Sequence, residues 1–258
     1  GDWSSDVCSS DLSFAFCSRV RGNLFSFPEG CSMYTVLPSP LLQRISGLRF
    51  QPLVDLHSGQ VFAHEVLVEI HNVNLEVLFA SLPSRSALQI FFWQANTLLQ
   101  IPARDAYWLN LPAEHLLDER AIRLLLALRH QQRLTIEIQD PLTITRLSED
   151  EQRRLHATLV RLKEAGWQIW LDDLTRELAE AFARLALPLD GVKIDRSALR
   201  ERAPLAPFVQ EVRAGIAQSI LIEGIENSRD LARARASGAQ SGQGFLWPES
   251  RTDARVTL

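Results

Sequence analysis

The chain has 258 residues, 46% hydrophobic and 22% charged, enough for one large domain or two small ones. A net charge of −4 and a pI near 5.9 argue against a nucleic-acid backbone as partner. No uncharged apolar run reaches the ~18 residues that a membrane span needs. Cys8, Cys17 and Cys31 all fall in the first 31 residues, so no disulfide framework or thiolate zinc site can lie beyond them, which fits a reducing, cytoplasmic setting.

Residues 1–40 are Ser-rich at their start and show neither helical nor strand period. They read as a disordered or extraneous N-terminal segment, or a remnant of an upstream domain, and residues 1–12 resemble a translated sequencing adapter. The folded domain is expected over 41–258.

From residue 50 short β-rich runs recur: 50–56, 60–70, 106–112, 133–140, 167–173, 191–195, 219–226 and 242–248. Between the second and third, Leu88, Phe91, Phe92, Ala95, Leu98 and Leu99 repeat at the helical period. Ser148 and Glu151 form a capping box for a helix that stops at Gly166. The stretch "LTRELAEAFARL" after Asp173 predicts a helix starting close behind it, and Ser228 and Gly238 bracket another. Only the first two strands lack a helix between them; "HSG" at 57–59 makes a hairpin-sized loop. This order predicts a TIM-like (β/α)8 barrel whose first strand is antiparallel, with a doubly wound open sheet as the alternative. No glycine-rich first turn supports dinucleotide binding.

Function in such a barrel sits where the strands end. The late strand positions supply Glu65, Asn110, Glu137, Asp172, Asp173, Lys193, Asp195, Glu223, Glu226 and Gln243. Singly, each has an ordinary structural role: an ion pair, a turn residue, or a helix cap for Asp172–Asp173. Together, so many carboxylates at one mouth repel unless a positive charge sits among them. Oxygen ligands with an Asn carbonyl favour a hard divalent cation such as Mg²⁺, Mn²⁺ or Ca²⁺.

The set resembles the EAL family of bacterial cyclic di-GMP phosphodiesterase domains, from about Phe50 to Pro248. "HEVL" stands where the family has Glu-Ala-Leu, and "LNLP", "IEIQD", "LDDL", "VKIDRS", "IEGIEN" and "GQGFLWP" follow in the family's order. The resemblance implies one Mg²⁺ or Mn²⁺ held by Glu65, Asn110, Glu137 and Asp172, and a second by Asp172, Asp173 and Glu223. It implies Lys193 beside the attacking water with Glu226 in support, and Gln51, Leu67, position 69 and Gln243 around the substrate. Cyclic di-GMP would be cut to the linear dinucleotide pGpG, and a second copy of the chain or another signalling protein is the implied macromolecular partner.

Three positions depart from that pattern. The family's phosphate-gripping arginine is Glu69, on the strand face that Glu65 and Leu67 share. The glycine-rich loop after the paired aspartates has become a helical sequence. A second glutamate near the fourth strand's end has become Asp140. The expectation is therefore an intact metal shell with a damaged substrate grip: a weak phosphodiesterase, or an inactive domain that binds cyclic di-GMP or a protein.

Overall fold

The computed structural model describes residues 45–70, 84–101, 105–129 and 133–252. The N-terminal segment and its three cysteines lie outside the described residues. Eight strands close into a barrel: β1 (Ile45–Asp55), β2 (Val61–Ile70), β3 (Tyr107–Pro112), β4 (Leu134–Gln139), β5 (Gln168–Leu174), β6 (Gly191–Ile194), β7 (Ser219–Ile222) and β8 (Ser241–Gly242). β1 runs antiparallel to both its neighbours, β2 and β8. Every other junction from β2 round to β8 is parallel. The expected barrel with a reversed first strand is thus the observed one.

Helices α1 (Ser84–Leu99), α2 (Glu119–Ala127), α3 (Pro141–Thr145), α4 (Glu149–Glu164), α5 (Arg176–Leu185), α6 (Ser197–Arg200), α7 (Leu205–Gly215) and α8 (Ser228–Ser237) fill the connections. None of the described helices is long and apolar enough to cross a membrane. The capping box of α4 is present: Ser148 N–H donates to Glu151 Oε2 at 2.9 Å, and Glu151 N–H to Ser148 Oγ at 3.4 Å. α8 corrects one expectation. Its cap is Asn227, whose extended backbone lets Oδ1 accept from the amides of Arg229 and Asp230, both at 3.0 Å; Ser228 is already helical.

Two runs end earlier than their apolar patterns suggest. β7 stops at Ile222, because Gly224 adopts a left-handed φ of 72° and packs against Arg196, where a Cβ would come within 2.4 Å of the arginine's own Cβ. β8 has only two residues, which leaves the upper half of β1 unpaired on that side. A short β9 (Ser250–Thr252) pairs antiparallel with Leu48–Phe50 and covers it.

Alternation along each strand sends one set of side chains outward to the helices and the other inward. The inward set is layered. Leu53, Ala63, Trp108, Trp170 and Leu221 form an apolar floor, with the two indole rings 4.4 Å apart. Two residues further towards the mouth come Gln51, Glu65, Asn110 and Asp172 on the same strands, and Glu223 just past the end of β7. The spacing that makes the floor therefore makes the polar layer above it. Gly191 belongs to this design, since a Cβ there would lie 2.5 Å from the Trp170 ring. Gly191→Ala is expected to overpack the floor and cost about 1–3 kcal/mol. Thermal unfolding checks this, and an unchanged midpoint would show that the indole has room to move.

Candidate metal centre

Lys193 stands at the centre of the polar layer and is 1% exposed. Its Nζ lies 3.1 Å from Glu65 Oε2, 3.0 Å from Glu137 Oε1, 2.9 Å from Asp172 Oδ1 and 2.9 Å from Glu223 Oε1. Four strands, β2, β4, β5 and β6, and the residue after β7 meet at this one ammonium. The carboxylates carry three more charges than it can neutralise.

Glu65 is the best-supported member. Asn110 Nδ2 donates to its Oε1 at 2.7 Å and Gln243 Nε2 to its Oε2 at 2.6 Å. Those bonds fix both amides with their oxygens facing away from Glu65. Asn110 Oδ1, Gln243 Oε1 and Glu137 Oε2 are then buried with no donor, while Glu137 Oε1 and Asp172 Oδ1 face only the shared Lys193 ammonium. Such a set of unclaimed hard oxygens fits a divalent cation. A second grouping fits as well: Asp172, Asp173 and Glu223 each offer an oxygen within 4.8 Å of the others.

Asp172 and Asp173 are adjacent, and a regular strand would point them to opposite faces. The register of β5 against β6 shifts between Leu171 and Leu174, and Asp173 takes a left-handed φ of 54°. This bulge inserts an extra residue into β5 and re-aims the pair, so that both reach Glu223. Aspartate tolerates the left-handed region better than most non-glycine residues. The chain leaves the site abruptly afterwards: Thr175 precedes α5, and Arg176 anchors it by Nε to Glu201 Oε2 at 3.0 Å and by stacking 4.3 Å over Phe208.

The remaining expected residues are placed as follows. Gln51 stands opposite Glu65 across β1–β2, and Leu67 follows opposite Arg49. Gln243 is enclosed, 3% exposed, and its amide is committed to Glu65. Glu226 is not among the groups at Lys193; it pairs with Arg200 at 3.1 Å and is half-exposed. Asp195 Oδ1 accepts the Ser197 amide at 2.8 Å and caps a turn. Glu69 does lie on the inward face, but Arg251 NH1 on β9 meets its Oε1 at 2.9 Å. Arg49 and Arg251 were missed in the sequence. Arg49 could have been found by extending the alternation of β1 two residues back from Gln51; Arg251 carries no local signal.

Electrostatics follow from burial. Loss of hydration raises the Glu65 carboxyl, but the Lys193 charge and the Gln243 and Asn110 bonds outweigh it and hold the group below its ordinary value. Burial pushes Glu137 and Glu223 well above the usual carboxylate range, against the pull of Lys193. Burial likewise lifts Asp172 to about 6, opposed by Lys193 and reinforced by Asp173 and Glu65. Lys193 itself is pulled down by burial and carried well above its ordinary value by Asp172, Glu137, Glu223 and Glu65.

A raised carboxyl pKa stabilises the fold below the unfolded value, and that contribution is lost as pH climbs through the folded one. For Asp172 the window runs from 3.8 to about 6. Without metal, the melting midpoint is expected to fall as pH rises through this window. Millimolar Mn²⁺ should raise the midpoint more at about pH 8 than at about pH 5, since protons compete for the ligands. Equal shifts at both values would argue against a metal site built on these carboxylates.

Comparison with known proteins gives the same frame. The EAL domain family matches residues 41–250. A curated relative, the probable cyclic di-GMP phosphodiesterase PdeB of Escherichia coli strain K12, is 24% identical over 219 residues, covering 79% of this chain and 42% of the relative. The chain thus spans less than half of that protein's length. Among solved structures, the Bacillus subtilis YkuI protein with an EAL domain, in complex with substrate c-di-GMP and calcium, is 21% identical with a TM-score of 0.66, covering 84% of this chain and 56% of that one. The Klebsiella pneumoniae BlrP1 manganese/cy-diGMP complex is 21% identical with a TM-score of 0.63, covering 81% of this chain and 59% of that one. With the family matched over most of its length and the barrel closed in the expected order, this chain belongs to the EAL domain family.

Proposed function

We propose that the domain, residues 41–258, is a metal-dependent phosphodiesterase that opens cyclic di-GMP to pGpG. The observation that carries this reading is the charge balance of the polar layer. Glu65, Glu137, Asp172, Asp173 and Glu223 surround one ammonium, Lys193, which leaves four negative charges when all ionise. Two divalent cations carry that charge. The unclaimed oxygens of Asn110 and Glu137 support the same reading.

Glu65, Asn110, Glu137 and Asp172 would hold one Mg²⁺ or Mn²⁺, and Asp172, Asp173 and Glu223 the other, with Asp172 shared. When bound, such a pair supplies an activated water and a clamp on the phosphoryl oxygens. The chain's own part is positioning. Lys193, fixed by four strands, presents a permanent positive charge beside the reacting phosphate. The Trp108–Trp170 floor closes the barrel below and excludes bulk water from that side. Gln51 lies on the inward face opposite Glu65, within the mouth that the dinucleotide enters. Glu226, held by Arg200, acts at a distance by steadying the turn that carries Glu223.

Incubating the protein with cyclic di-GMP and Mn²⁺ is expected to release pGpG, and chelation to stop it. Asp172→Asn removes the shared ligand and should lower the rate by at least about 100-fold. Tight binding of cyclic di-GMP without any pGpG would replace this reading with that of a receptor domain.

A further inference from the structure

The family's guanidinium is missing from position 69, yet the mouth does not lack guanidinium groups. Arg49 on β1 and Arg251 on β9 are direct partners across an antiparallel pair, so both side chains stand on the same, inward face. Arg49 is opposite Leu67 and two residues mouthward of Gln51. At the rise of a strand, that places it about 7 Å above the metal layer.

Two like charges directly opposed across strands repel. Here each is answered by a carboxylate: Arg49 NH1 lies 3.5 Å from Glu249 Oε2, and Arg251 NH1 2.9 Å from Glu69 Oε1. Neither answer is complete. The first contact is long, and Arg49 Nε is buried with no acceptor at all. The second is largely in solvent, with the Arg251 side chain 60% exposed, and is easily given up. The two forks face the mouth with donors to spare, an arrangement suited to a phosphodiester anion.

Resting on the phosphodiesterase reading, we propose that Arg49 and Arg251 grip the phosphodiester of cyclic di-GMP that is not being cut. The grip has moved from β2 to β1 and β9. Glu69 then holds Arg251 in the free protein and yields it when the substrate phosphate arrives. Cyclic di-GMP carries two phosphodiesters in one ring, so seating one at the metals brings the other to the wall above them.

The test is calorimetric titration of cyclic di-GMP into the full chain with Ca²⁺, the ion found with substrate c-di-GMP in a structural neighbour. Arg49→Gln and Arg251→Gln are each expected to weaken binding about 10-fold, and the double variant about 100-fold. Glu69→Gln, which frees Arg251, should tighten it several-fold. Should either Gln variant melt early, Arg49→Lys and Arg251→Lys keep the charge that pins β9 while losing the fork, and are expected to bind about 10-fold more weakly than the unsubstituted chain. A lower midpoint with undiminished affinity would overturn the proposal and leave the arginines as ties for β9. Unchanged affinity in both Lys variants would overturn it too. In either case, hydrolysis by the unsubstituted chain would leave the phosphodiesterase reading standing. If the unsubstituted chain binds no cyclic di-GMP with Ca²⁺ or Mn²⁺, both readings fall together.

Discussion

One ammonium holds the barrel mouth together. Among the described residues, Lys193 is the single cation that touches Glu65, Glu137, Asp172 and Glu223, and those groups come from strands spread round much of the barrel. A buried lysine is expensive unless paired, and so is each buried carboxylate. The cost of one side is the remedy of the other. Because the carboxylates outnumber it, the cluster is held together but left with residual negative charge, which suits it to a divalent ion.

The second constraint is geometric. Strand periodicity supplies floor and polar layer together, as the pairs Trp108–Asn110 and Trp170–Asp172 illustrate. Periodicity alone would waste Asp173 on the outside of the barrel. The bulge in β5 recovers it, at the cost of a left-handed backbone at a non-glycine residue. Local strain is thus located where the two aspartates are brought together with Glu223.

Much of this was legible in the sequence. Acids late in successive apolar runs gave the cluster of Glu65, Glu137, Asp172 and Glu223, and the missing glycines after Asp173 gave the early start of α5. The illegible parts have physical reasons. β9 is three residues long and has no periodicity to read. Arg251 and Glu69 are 182 positions apart, so their pairing exists only after the sheet closes. Asn227 and Ser228 are both good caps, and only backbone direction separates them. Glu226 lies on the turn that Gly224 opens, which carries it away from Lys193 to Arg200.

The junction between Asp173 and α5 has a consequence for control. In a barrel with a pliable segment there, rearrangement among the outer helices can reach the paired aspartates and modulate them. Here only Leu174 and Thr175 intervene, and Arg176 is clamped to Glu201 and Phe208 on the neighbouring connection. So short and clamped a junction leaves little slack between the helical layer and the paired aspartates. On the phosphodiesterase reading, such a domain would run at a rate set by the messenger and metal present rather than by an input relayed through this junction.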